Sequence, residues 1–306
     1  MLAYTIRRLF LLIPVILGIL LIVTATLELV PGDPAALMLG QFATTETVAD
    51  LRHALNLDRP YLVRYVYYVW DLLHGDLGRS YSMKREISDE ILETLPATAQ
   101  LAGLALLLVL VISIPIGALA AAKPNSFLDN AVRVSSLAGL SMPIFWTAIV
   151  LIILFSVKLR LLPVGGYGGI RHLVLPAVTL AAPSIGMVTR MVRSSVMEIF
   201  CEEYVNTARA KGLSERGVLF KHVLRNALIP VVTVLGAQLG QMLGGAVLTE
   251  TVFSWPGLGR LTVLAIFRRD YVLIQGVVVV LALIYILVNL AVDLTYALIN
   301  PRISYS

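Results

Sequence analysis

A bilayer's hydrocarbon core is about 30 Å thick, and a helix needs roughly 20 mostly apolar residues to cross it. This chain meets that requirement six times, at about residues 9–30, 96–122, 131–157, 173–192, 229–252 and 272–298. In lipid the backbone must satisfy its own polar groups, so such runs fold as helices. The expected fold class is therefore an all-α integral membrane protein with six transmembrane helices. Pro176, Pro183 and Gly186 interrupt the fourth run. Composition agrees: 58% of the 306 residues are hydrophobic and 14% charged, against about 45–50% and about 25% in an average globular chain. A soluble domain, a disordered chain and a disulfide scaffold built on the single Cys201 are all excluded.

Arg7 and Arg8 precede the first run, as in a signal peptide. The run is nearer 20 residues than the 7–15 of a signal's apolar region, so it is expected to stay as a helix. With the amino terminus inside, the internal segments are 1–8, 123–130, 193–228 and the tail after 298. The 193–228 loop holds Arg193, Arg209, Lys211, Arg216, Lys221 and Arg225. Lys158, Arg160, Arg171, Arg260, Arg268 and Arg269 fall outside, but the amino-terminal pair and the dense fourth-to-fifth loop favour both termini in the cytoplasm. The +5 net charge is spread along an apolar chain rather than set on a soluble face. It is expected to fix topology among membrane lipids, with no nucleic-acid partner.

Three parts follow: residues 1–30 with the first helix, an extracytoplasmic segment over 31–95, and a five-helix core over 96–306. Residues 31–94 hold ten Asp/Glu against six Lys/Arg. Between about 46 and 74, Leu51, Leu55, Val63, Val66 and Val69 recur at helical spacing and predict two short amphipathic helices, with Pro60 where the second begins. The segment reads either as a small folded cap or as a docking surface for a partner. It is too short for an enzyme domain.

Motifs of chemistry are missing. The chain has no GxxxxGK[ST], no HExxH and no GxSxG, and His53, His74, His172 and His222 are dispersed. No catalytic residue, metal ligand or bound cofactor is expected. Cys201 is expected to be a half-buried thiol at the internal boundary.

The fifth run places Gly236, Gly240 and Gly244 at i, i+4 and i+8, a face without side-chain bulk suited to close packing against another helix. Gln238 and Gln241 lie on another face. Amides in hydrocarbon need partners or water, so they either bond a neighbouring helix or line a polar pathway. In the sixth run Asn289 and Asp293 share a face; Asp293 is near the internal end, where a structural cap or pairing with a loop arginine is expected. In the 193–228 loop, residues 202–211 are helix-forming, Gly212 is a natural stop, and a second short helix can begin at Ser214. A helix–Gly–helix element is suited to a groove in another protein; the alternative is a solvated basic loop.

At this loop TARAKGL followed by HVLRNALIPVV resembles the permease subunits of ABC importers, specifically the peptide/nickel family. The likeness covers essentially the whole chain. MLAYTIRRLFLLIPVILG, LVPGDPA, LNLDRPYLVRY, HGDLGRS, SMPIFW, ETVFSWPGLGR, RRDY and VDLTYALINPR occur in that family's order. Each is weak alone; together they are specific.

The resemblance implies a type I ABC importer permease in a bacterial or archaeal cytoplasmic membrane. It implies a heterodimer with a paralogous permease, two cytoplasmic ATPase subunits that bind ATP and Mg, and an extracytoplasmic substrate-binding protein. The EAA loop of such permeases docks into the ATPase and transmits its closure. Aligned on Gly212, this chain has Asn206, Thr207 and Ala208 where the general pattern has Glu-Ala-Ala, and Arg225 where it has proline. These departures resemble the peptide/nickel branch rather than sugar importers. The implied coupling surface comprises Glu203, Tyr204, Asn206, Thr207, Ala208, Arg209, Ala210, Lys211 and Gly212. Gln238, Gln241 and Asn289 are pathway candidates, and Gly236, Gly240 and Gly244 a candidate seam with the partner permease.

Relatives of this kind import dipeptides, oligopeptides, glutathione or nickel. The short third-to-fourth loop resembles nickel-type members; ETVFSWPGLGR and RRDY resemble peptide-type members, and the reading leans to peptide. A secondary carrier would show inverted repeats and a mid-membrane carboxylate, and a channel would leave the polar loop without a purpose.

Overall fold

A computed structural model describes residues 2–29 and 33–299, with side-chain environments for all of these except 2–9, 11, 12, 26–29, 42, 138, 140 and 293–299. Among the described residues the fold is helical, with a single isolated antiparallel bridge between Arg79 and Glu86. The helices in chain order are α1 (Leu2–Leu29), α2 (Pro34–Leu39), α3 (Thr45–Ala54), α4 (Tyr61–Leu73), α5 (Ile87–Ala122), α6 (Phe127–Ser141), α7 (Ile144–Leu151), α8 (Ile170–Phe200), α9 (Glu203–Ala210), α10 (Glu215–Gly217), α11 (Leu224–Val252), α12 (Leu258–Phe267) and α13 (Tyr271–Ile299). Four described stretches are long and apolar enough to cross a membrane: Ile87–Ala122, Ile170–Phe200, Glu215–Val252 and Tyr271–Val292.

The third apolar run is not one helix. It divides into α6 and α7, and α7 continues as a π-helical segment over Ile152–Lys158. The break falls at Met142–Pro143, where Pro143 is extended (φ −60°, ψ 139°) and caps α7. Proline pushes the residue before it out of the helical region and brings no N–H of its own. By contrast α8 runs unbroken through Pro176 and Pro183, each of which removes one backbone hydrogen bond. It also extends to Phe200, so the connection to α9 begins after residue 200 rather than at residue 193. The second short helix after Gly212 is the start of one 38-residue helical stretch, Glu215–Val252, with a π-helical segment at Val218–Val223.

The chain forms two compact units. The first contains Met1–Ala97 and Pro256–Ile286, the second Thr98–Trp255 and Leu287–Ser306. In the first, Ile87 and Ile91 of α5, Leu258, Leu261 and Ala265 of α12, and Leu273 and Val277 of α13 form a buried cluster. Gly276 lets α13 approach α5: a methyl group there would meet Ile87 Cγ2 at 2.7 Å. The two amphipathic helices expected between 46 and 74 are α3 and α4, α4 beginning directly after Pro60. Thr44 and Thr47 cap α3 reciprocally, each side chain accepting from the other's backbone N–H. In the second unit α8 packs between α6 and α11, with thirteen of its residues buried. Gly186 brings it against the Ser136 backbone of α6, and Gly245 brings α11 against Ile144 and Leu180.

Candidate functional site

The helix–Gly–helix element is built from local signals. Glu202 is extended ahead of α9, Glu203 places an acid in the first turn, and Arg209 a base in the last, each matching the helix dipole. Gly212 takes a left-handed φ of +81°, which reverses the chain with no Cβ penalty. Ser214 then caps α10, its hydroxyl accepting from Gly217 N at 3.3 Å.

Val205 and Ala208, three positions apart, are the buried residues of α9. The π-helical segment that packs against α9 buries Val218, Leu219 and Val223. Two polar links hold the element closed. Arg209 Nε donates to Glu215 Oε1 at 2.9 Å and Nη2 to Oε2 at 3.3 Å. Asn226 Nδ2 donates to Tyr204 Oη at 2.7 Å. Arg209 also lies over the Phe200 ring, 5.5 Å from its centroid. Glu203, Tyr204, Asn206, Thr207, Arg209, Ala210, Lys211 and Gly212 are exposed. The nine residues singled out from sequence are therefore together, eight outward and Ala208 inward as an anchor. Cys201 differs from expectation: as the residue capping α8 it is exposed.

The base of α8, which leads into this element, is tied to α6 by charge. Asp129 is wholly buried and accepts from Arg193 Nε, from Arg193 Nη2 at 3.0 Å, from Arg133 Nη2 at 2.6 Å and from Asn125 N at 2.9 Å. The Arg193 hydrogen bond holds the Asp129 carboxyl well below the usual carboxylate range, against the opposing effect of burial. Sequence spacing gave no sign of this pairing.

The other candidates disperse. Gln238 is buried and accepts from Ser184 Oγ of α8 at 2.9 Å. Gln241 is exposed and Asn289 half-buried; the Asp293 side chain lies outside the described residues. Gly236 is buried against Val292 of the same chain, Gly240 is half-buried, and Gly244 is exposed with open space where a Cβ would sit.

Two pairs of sequence motifs meet in space. HGDLGRS and RRDY join because Asp270 Oδ2 accepts from Ser80 Oγ at 2.7 Å and from Ser82 N at 2.8 Å. The other Asp270 oxygen caps α13, accepting from Leu273 N at 3.1 Å. The glycine loop before α8 docks on the end of α11: Gly166 N donates to Phe253 O at 2.8 Å, and Tyr167 stacks edge-on against Trp255 with centroids 4.8 Å apart. A buried carboxyl group, Glu250, lies near the carboxyl-terminal end of α11 and accepts from Thr98 Oγ1 at 2.7 Å. Its place within an apolar run was the available signal. Among the described residues no group of three or more His, Cys, Asp and Glu is placed to hold a metal ion.

Two family descriptions match the chain in succession. Residues 1–102 match the amino-terminal membrane component of binding-protein-dependent transport systems, and residues 113–305 match the binding-protein-dependent transport system inner membrane component. The dipeptide transport system permease protein DppB of Alkalihalophilus pseudofirmus is 41% identical over 333 residues, covering 100% of both chains. Its namesake in Escherichia coli strain K12 is 40% identical over 337 residues, covering 100% of this chain and 99% of that one. The di/tripeptide transport system permease protein DppB of Pseudomonas aeruginosa is 42% identical over 334 residues, covering 100% and 99%. Among solved structures, the MetNI methionine ABC transporter in an inward-facing conformation superposes with a TM-score of 0.59 at 20% identity, over 69% of this chain and 96% of that one. An amino acid ABC transporter with histidines gives 0.51 at 16% identity, over 71% and 95%. These two likenesses show a shared fold.

Proposed function

The chain belongs to the inner membrane components of binding-protein-dependent transport systems, and on that premise we propose that it is the permease subunit of an ATP-driven importer of di- and oligopeptides. Identity of 40–42% over the full length to permeases named for dipeptide and di/tripeptide transport carries the reading. The nickel and glutathione alternatives lack comparable support.

The polypeptide crosses the cytoplasmic membrane of a bacterium or archaeon six times, through α1, α5, the broken α6–α7 pair, α8, α11 and α13. Both termini and α9 face the cytoplasm, and the segment carrying α2–α4 is on the outer side. The chain performs no chemistry. Two cytoplasmic ATPase subunits bind ATP and Mg, and the outward face of α9, from Glu203 through Gly212, docks on one of them. That face is supported by its rigid inner anchor at Val205 and Ala208 and by the Arg209–Glu215 and Asn226–Tyr204 links. ATPase closure pulls on α9, and α8 and α11, continuous with the two sides of the element, transmit the motion. A binding protein delivers substrate to the outer face. The pathway runs between this permease and a paralogous partner; the open surface at Gly244 beside exposed Gln241 supports a seam there. Substrate alone shifts the equilibrium only by its differential affinity for the two states, so ATP supplies the drive.

The test is uptake by proteoliposomes holding both permeases, the ATPases and the binding protein. The expected result is vanadate-sensitive, ATP-dependent accumulation of a labelled dipeptide, blocked by excess dipeptide but not by nickel(II) or glutathione. Uptake without ATP would instead establish a secondary carrier, and competition by nickel(II) or glutathione would reassign the substrate.

A further inference from the structure

Helix α4 is amphipathic in the opposite sense to a helix on a soluble surface. Leu62, Val66, Trp70 and Leu73, at i, i+4, i+8 and i+11, form one stripe and are 67, 63, 61 and 76% exposed. Its polar residues Arg64, Tyr68 and Asp71, at i, i+4 and i+7, occupy the opposite arc. Arg64 and Tyr68 are half-buried, and with exposed Asp71 they line a cavity of about 180 Å³ together with Thr24 of α1 and Gln275 of α13. A helix bathed in water turns its apolar stripe to the core and its charges outward. An exposed apolar stripe of this length on a soluble face marks an interaction surface.

The position of α4 names the occupant. Tyr61 Oη donates to Leu21 O at 2.7 Å and Tyr65 Oη to Leu17 O at 3.0 Å. These carbonyls lie 8 and 12 residues inside Leu29, the end of α1, or about 12 Å and about 18 Å along the helix axis. In hydrocarbon each helical carbonyl already accepts one bond, and a phenol that would otherwise be stranded gains a partner there. The α1 surface over this stretch is itself apolar and exposed, at Ile13, Val15 and Ile22. The α4 stripe is thus continuous with the surface that a membrane-spanning α1 presents to lipid. Arg59, just ahead of α4, lies 4.6 Å from the Tyr67 ring centroid, a cation–aromatic pair of the kind found at the headgroup boundary.

We propose that α4 is seated in the outer leaflet against α1, with Leu62, Val66, Trp70 and Leu73 on lipid acyl chains and its polar arc turned to the cavity beside Thr24 and Gln275. The helix then acts as an anchor holding the extracytoplasmic segment down at the membrane, independently of any binding protein. This rests on reading α1 as membrane-spanning, and the test separates the two claims.

Single nitroxide labels are placed at positions 62, 66, 70 and 73 in a Cys201→Ser background, in the complete transporter reconstituted into phosphatidylglycerol/phosphatidylethanolamine vesicles. Collision rates with dissolved oxygen and with a water-soluble nickel chelate are compared with labels at Ile22 of α1 and at exposed Glu46 of α3. ATP-dependent uptake by each labelled variant checks its fold. The expected result is an oxygen-to-nickel ratio at all four positions matching Ile22 and several-fold above Glu46. A ratio like that of Glu46 with Ile22 still lipid-exposed overturns the proposal and leaves the α1 reading standing. Shielding from both reagents overturns it in favour of a protein partner. Aqueous access at Ile22 as well would overturn the α1 reading with it.

Discussion

Asp129 keeps its charge without any exposed surface because three donor groups converge on it: two guanidinium groups and the Asn125 amide. Asn125 holds a φ of +60°, a conformation asparagine tolerates better than most residues, and this aims its N–H at the carboxylate. Removing one partner of a buried ion pair costs about 3–5 kcal/mol when the other is stranded. Here Arg193 and Arg133 retain water, so Asp129→Asn is expected to destabilise by about 1–3 kcal/mol, read as a lower thermal midpoint in detergent. The pH sign follows from the lowered carboxyl. Its contribution is fully present above the ordinary aspartate value of about 3.9 and is lost as pH falls below that toward the depressed native value. Above that window the stability gap between wild type and Asp129→Asn should be constant, and it should close on further acidification. A gap that already narrows near pH 6 would contradict this assignment. Nothing in the sequence pairs Asp129 with Arg193, because they are 64 positions apart and no spacing rule reaches that far.

At the scale of one element, α9 has a buried and an exposed face, and the proposed docking role predicts that substitutions separate them. Val205→Asp puts a charge where no water reaches, so the element should lose its shape and ATPase association with it. Thr207→Arg, on the exposed face, should leave membrane insertion and thermal stability unchanged while weakening co-purification of the ATPase subunits. Gly212→Ala is the finer probe. A Cβ there meets nothing within 4 Å, so its cost is the left-handed backbone alone, about 1–2 kcal/mol. The expected outcome is impaired coupling with normal insertion; full ATPase association in Thr207→Arg would rule out that face as the docking surface. This element was legible in sequence because a stop glycine and a capping serine act over a few residues. The interruption at Met142–Pro143 is local too, but counting apolar residues ignores it, since hydropathy does not register the backbone preference that proline imposes on its neighbour.

For the whole molecule, the proposed topology predicts that a tag at the carboxyl terminus is reached by membrane-impermeant reagents only from the cytoplasmic side. A cysteine replacing exposed Asp50 in α3 should react only from outside. Labelling of Asp50→Cys from the cytoplasm would invert the orientation. The sequence by itself determined which stretches are apolar enough to cross a membrane, the two short helices between 46 and 74 and the helix–Gly–helix element. Apolar transfer, capping and helical periodicity are sums over about 20 neighbouring residues or fewer. Only the tertiary structure decided which of them meet. It joined residues 1–97 with 256–286 in one compact unit, placed Asp270 on Ser80 across 190 residues, turned Gly236 onto its own chain, and set the apolar stripe of α4 outward. Such pairings depend on packing between distant segments of nearly equal hydrophobicity, a choice that no local sum of residue preferences contains.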